Sequence, residues 1–78
     1  MLRLRIRDLR EDNDMSQTQM AKLLNCSQQT YSRYENHTTE IPLESLIKLA
    51  EYYGTSVDYL LGITNRKEPY PKVKYNNY

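Results

Sequence analysis

Gln28, Gln29, Ser32 and Arg33 are polar residues that a helix would place together, away from Tyr31 and Tyr34. A glutamine amide donates and accepts side by side, which matches the major-groove edge of adenine. A guanidinium forks onto guanine with the same two-point geometry. Each such pair supplies about 1–3 kcal/mol of discrimination. Exposed glutamine on a helix is more often only solvated, so its worth depends on where the elements place it. Catalysis finds no comparable group. Cys26 and His37 are the single cysteine and the single histidine. They are too few for a three- or four-ligand zinc site, and neither is placed as a nucleophile beside a base. No Gly-rich phosphate loop is present. We therefore expect no enzyme activity, cofactor, metal or small-molecule ligand.

The elements that would position these residues are short. The chain has 78 residues, near the lower size at which a hydrophobic core suffices. One cysteine allows no internal disulfide. The net charge is +1, so composition alone does not announce nucleic acid. No apolar run approaches the length of a membrane span, and the N-terminus alternates Leu with Arg instead of forming an apolar signal segment. A cytoplasmic location is the expectation. Apolar periodicity is dense through residues 1–63, which we read as one domain. Residues 64–78 read as a C-terminal tail, dimerising or disordered, with Pro69, Pro71 and several Tyr and Asn.

Five helices are predicted, and no strand with certainty. Leu2, Ile6 and Leu9 make a helical stripe over about 3–12. The alternation Leu2-Arg3-Leu4-Arg5-Ile6 also fits a strand, an arm that would pair with another chain. Asn13-Asp14 closes the segment. Ser16-Gln17-Thr18-Gln19 is a capping box with Met15 at the staple position, which opens a helix over about 17–24. Asn25 supplies a left-handed exit and Ser27 caps a new helix over about 28–35. Tyr31 and Tyr34 share one face of it, away from Gln28, Gln29, Ser32 and Arg33, and Asn36 can end it. After a loop, Pro42 fits the first turn of a helix that Leu43, Leu46, Ile47, Leu49 and Ala50 make amphipathic, to about Tyr53. Gly54 stops it. A last short helix from Thr55-Ser56-Val57-Asp58 is anchored by Val57, Leu60 and Leu61 and ends at Gly62. Two short helices joined by a three-residue turn have helix-turn-helix geometry, though helical hairpins also occur in plain bundles.

The span from about Leu2 to Gly62 resembles the lambda-repressor-like, or Cro/C1-type (XRE), helix-turn-helix family of phage and bacterial repressors. The resemblance is carried by Ile6-Arg7-Asp8-Leu9-Arg10-Glu11, by Ser16 to Ala21, and by Ser27 to Asn36. It continues in Leu46-Ile47-Lys48-Leu49-Ala50 and in Val57 to Gly62. It implies an all-α, five-helix fold with the helix-turn-helix at the second and third helices. It implies a sequence-specific transcriptional regulator, a repressor, that reads double-stranded DNA. Gln17 would meet a phosphate at the N-terminus of the second helix, where free N–H groups favour an anion. Ser27, Gln28, Gln29, Ser32 and Arg33 would line the groove, with Arg33 equally able to pair with a neighbouring acid. Arg10 and Glu35 would form a buried salt bridge between the first and third helices.

The chain departs from that pattern. Asp14 and Asn25 stand where glycine is common, and Tyr31 replaces a small aliphatic residue. That implies either a larger pocket or partial exposure of the phenol. The loop His37-Thr38-Thr39-Glu40 lacks lysines, which leaves Thr38 and Thr39 for phosphate. So few cations predict modest affinity per monomer and a shallow salt dependence. The resemblance implies a homodimer through residues of about 56–78 on a pseudo-palindromic operator, with reading helices about 34–36 Å apart. Tyr70, Tyr75 and Tyr78 suit an interface, while Lys72 and Lys74 could instead touch DNA. The alternative is an antitoxin-like or antirepressor-type module that keeps the fold but binds a protein.

Overall fold

The computed structural model describes residues 4–71. Five helices succeed one another: α1 Ile6–Asp12, α2 Gln17–Leu23, α3 Gln28–Glu35, α4 Leu43–Tyr53 and α5 Val57–Leu60. No strand occurs among the described residues. Met1, Leu2 and Arg3, part of the strand-like stretch, lie outside them.

Helix α1 starts later than the stripe suggests, and the reason is tertiary. The Arg5 N–H donates to the Leu60 carbonyl at 2.8 Å. The Arg5 guanidinium lies 4.2 Å from the centre of the Tyr59 ring and donates to Thr64 O at 3.0 Å and Asn65 Oδ1 at 2.7 Å. Tied to the far end of the fold, Arg5 sits at φ −99°, ψ 11° as the N-cap.

The other helix starts are written locally. Ser16 Oγ accepts from the Gln19 N–H at 3.1 Å, and Gln19 Oε1 accepts from the Ser16 N–H at 2.8 Å. This reciprocal box satisfies two donors that a helix start leaves open. Ser27 and Ser56 cap α3 and α5 in the same manner, through Thr30 N and Tyr59 N. Pro42 is itself the N-cap of α4, with extended backbone. That corrects its expected place inside the first turn by one residue.

The helix ends turn on residues in the left-handed region. Gly54 (φ 66°) comes after α4 and Gly62 (φ 77°) after α5. After α1, α2 and α3 the corresponding residues are Asp14 (φ 54°), Asn25 (φ 60°) and His37 (φ 62°). Asn36 ends α3 as its C-cap, as expected, and stays right-handed, while His37 behind it takes the left-handed turn.

The core joins all five helices. Met20, Tyr31, Leu49 and Leu60 are fully enclosed, with Ile6 and Leu9 from α1 and Ala21 at the approach of α2 to α3. Of the apolar residues of α4, Leu46, Leu49 and Ala50 face inward, while Leu43 and Ile47 are exposed. Residues 64–71 form no helix but lie against the body. Thr55 Oγ1, nearly buried, donates to Lys67 O at 2.5 Å, and Tyr70 OH donates to Asp58 Oδ2 at 2.9 Å. A buried hydroxyl requires a partner, and the Lys67 carbonyl provides it. Lys72, Lys74, Tyr75 and Tyr78 lie outside the described residues.

Ser16→Ala removes one half of the box and should lower stability by about 1 kcal/mol. A urea midpoint indistinguishable from wild type would show that the cap contributes nothing.

Candidate nucleic-acid interface

Helix α3 divides its residues between two surroundings. Tyr31 and Tyr34 point into the core, with their rings edge to face at 6.4 Å. Gln28, Gln29 and Arg33 are exposed, and Ser32 is half-buried. The two side-chain sets arise from the helical repeat, which puts positions three apart on one face. Since α2 packs across α3, the exposed set forms a ridge.

Ser27 does not share that freedom. Its Oγ accepts from the Thr30 N–H at 3.1 Å and donates to Thr30 Oγ1 at 2.9 Å, so its proton is already engaged. Ser32 lies 3.5 Å from the Asn36 amide. No ion pair involves Arg33 among the described residues, so its charge faces solvent. Thr38 turns its N–H and hydroxyl back onto the Arg33 carbonyl, at 3.0 and 3.4 Å. Thr39 is exposed on the same loop.

Beneath the ridge is a buried charge. Arg10 Nε donates to Glu35 Oε2 at 2.7 Å and Arg10 Nη2 to Glu35 Oε1 at 3.1 Å. The side chains are 13% and 2% exposed. Arg10 Nη1 also holds the Met15 carbonyl at 2.9 Å, which binds the turn before α2 to the same centre. Gln17 Nε2 donates to Glu35 Oε1 at 3.0 Å, and Gln28 Nε2 donates to Gln17 Oε1 at 2.6 Å. Gln17, expected at a phosphate, thus has its side chain tied between the interior and Gln28. Its position at the first turn of α2 is unchanged. Nothing local in the sequence marks this link, because its members lie on three helices.

Tyr31 completes the centre. Its hydroxyl is fully buried and has no partner of good hydrogen-bond geometry, yet it sits close enough to Glu35 that each group shifts the other. Burial, then Glu35, raises the Tyr31 pKa. For Glu35, burial acts upward, but hydrogen bonds from Arg10 and Gln17, with the Tyr31 hydroxyl close by, outweigh it and hold the carboxyl below its ordinary value. Burial pushes the nearby Tyr53 up to about 12. Of the two outcomes foreseen for Tyr31, the larger pocket is the one found.

A family model described as helix-turn-helix matches residues 6–60, the interval from the start of α1 to the end of α5. The chain belongs to this helix-turn-helix family. An uncharacterized HTH-type transcriptional regulator of Bacillus subtilis, YobD, is 37% identical over 73 residues, covering 94% of this chain and 63% of the relative. The cryptic phage CTXphi transcriptional repressor RstR of Vibrio cholerae is 36% identical over 61 residues, covering 78% and 55%. The crystal structure of a transcriptional regulator from Listeria innocua superposes with a TM-score of 0.71 at 29% identity, covering 92% of this chain and 61% of that one. This helix-turn-helix chain therefore spans roughly three fifths of the length of these relatives. Its α2 and α3 are the two helices of the motif, with Asn25 in the turn between them.

Arg10→Met leaves the Glu35 carboxylate buried without its cation and should cost about 3–5 kcal/mol. The Arg10→Met/Glu35→Leu pair should recover most of that loss. The pH dependence has a defined sign. A carboxyl held below 4.5 in the folded state contributes fully above that pH, and the contribution fades as pH falls through the lowered value. Wild-type urea midpoints should fall more steeply below pH 4.5 than those of the double variant. Parallel curves would show that Glu35 carries no such linkage.

Proposed function

We propose that this chain binds double-stranded DNA sequence-specifically and acts as a transcriptional repressor, with α3 in the major groove. The observation that carries the reading is the exposed ridge of Gln28, Gln29 and Arg33 on a helix whose other face is locked in the core. Helix-turn-helix membership and relatives named as transcriptional regulators support it. Gln28 and Gln29 read base edges, and Arg33 and Ser32 contact a base or phosphate. The free N–H groups that open α2 at Gln17, with Thr39 on the loop, meet the backbone. Occupying an operator is enough to block transcription, and the protein would act where the cell keeps that duplex, in the cytoplasm.

The same reading includes a homodimer on a two-fold site, because one protomer brings few cations to the phosphates. Exposed Ile63 and Tyr70, beyond α5, offer apolar surface for it. Residues 72–78 complete the expected interface and lie outside the described residues.

Selection of bound duplexes from a random pool would define the operator. Gln28→Ala and Gln29→Ala should each weaken operator binding by about 1–3 kcal/mol while changing binding to random DNA little. Equal losses on both would remove base reading from these residues. Sedimentation should find two protomers per intact site, and a single protomer would reject the dimer.

A further inference from the structure

A cavity of about 410 Å³ lies between α4, the start of α5 and the residues that follow α5. Concave sites that take small molecules span about 300–1,000 Å³. Its apolar lining comes from Ile47, Ala50 and Val57 on the helices and from Pro69 and Tyr70 beyond them. The segment that carries Pro69 and Tyr70 is pinned on both sides of them. Thr55 Oγ1 donates to Lys67 O at 2.5 Å, and Tyr70 OH donates to Asp58 Oδ2 at 2.9 Å. None of these residues belongs to the ridge on α3.

The charges at this cavity have one sign. Glu51 and Asp58 both line it, and no lysine or arginine does. Neither carboxylate enters an ion pair among the described residues. Tyr70 takes one oxygen of Asp58 and leaves Oδ1 to accept from another donor. An anion here would meet two carboxylates. A neutral apolar molecule would cover Ile47 and Val57 but offer the carboxylates nothing. A cation on an apolar body answers both parts of the lining, and the Tyr70 ring adds an electron-rich face for it.

We propose that this cavity binds a small amphipathic cation, an ammonium group carried on an aromatic or branched apolar body. The ammonium faces Glu51 and Asp58, and the body lies on Ile47, Ala50 and Val57. The expectation of no small-molecule ligand, which rested on missing motifs, is set aside. Tyr70 also belongs to the surface proposed for the two-fold contact, so ligand and second protomer compete for it. That consequence rests on the function proposed above.

The test is an NMR titration of the full chain without DNA. The probe is phenethylammonium, with phenethyl alcohol and hydrocinnamate as the neutral and anionic forms of a similar body. Shifts at Ile47, Ala50 and Val57 should saturate with the ammonium. The alcohol should bind about fivefold more weakly, and the carboxylate should give no shifts there. Ile47→Gln changes an exposed side chain, and Asp58→Asn keeps an oxygen for the Tyr70 hydroxyl. Each should weaken ammonium binding by about fivefold and leave the spectrum of a folded protein. If one variant does not fold, the other decides.

Equal affinity for the three probes overturns the proposal. So do shifts without saturation, or shifts centred instead on the second cavity at Leu4, Ile41 and Leu61. Shifts of Ile47 and Val57 on dilution of the free protein also overturn it, because a second copy then fills the cavity. These readings need no duplex, so their failure leaves base reading intact. With saturating phenethylammonium, fewer two-protomer operator complexes should form, and unchanged assembly overturns the competition for Tyr70.

Discussion

The placement of the candidate recognition residues that open α2 and α3 depends on one buried carboxylate. Glu35 ends α3, Arg10 comes from α1, and Gln17 opens α2, so their bonds tie three helices to a single charge. A charge in such a site is tolerated only when its lone pairs are met. Arg10 meets them with two parallel N–H groups, a fork that lysine could not reproduce. The pair contributes geometry more than stability, because a well-packed apolar pair could fill the same volume at similar or lower free energy. Its effect is to fix the angle between α2 and α3, and that angle decides whether Gln28 and Gln29 stand proud of the surface. Tyr31 closes the centre from the core side and keeps water from the carboxylate.

Much of this was legible in the residues, and the part that was not has a common cause. Signals contained within one turn of helix were decisive. Ser16 with Gln19 gave the start of α2, Ser27 gave the start of α3, and Asn25 gave the turn. The exposed position of Gln28 and Gln29 came from the opposite placement of Tyr31 and Tyr34. Errors arose where a distant contact overrode the local pattern. Arg5 lies within the segment expected to be helical, yet its N–H bonds Leu60 O and it stands as the N-cap of α1. Leu43 and Ile47 look like core in the helical repeat, but among the described residues no helix covers them and both are exposed. The pairing of Arg10 with Glu35 was foreshadowed only by family resemblance, since 25 positions separate them. The link from Gln17 to Gln28 had no precursor in spacing at all.

The two ends of the described chain are held together by a single side chain. Arg5 bonds the carbonyl of Thr64 and the amide of Asn65 while covering the Tyr59 ring. Thr55 and Asp58 then hold Lys67 and Tyr70. The residues after α5 are thus directed along the face formed by α4 and α5, on which Ile47 is exposed. Residues 64–71 are anchored to the domain and do not form a loose joint.

Asp14, Asn25 and His37 occupy backbone conformations that glycine adopts freely, and the whole chain contains only two glycines. Each of the three carries a side chain that narrows what the unfolded chain can sample, so less freedom is surrendered when the helices form. Against that stands a native torsional penalty at each turn, smaller for Asp and Asn than for most residues. The two contributions oppose each other at the same three joints. The resistance of this small domain to unfolding is therefore set partly by the states it avoids when unfolded, and inspection of native contacts alone would misjudge it.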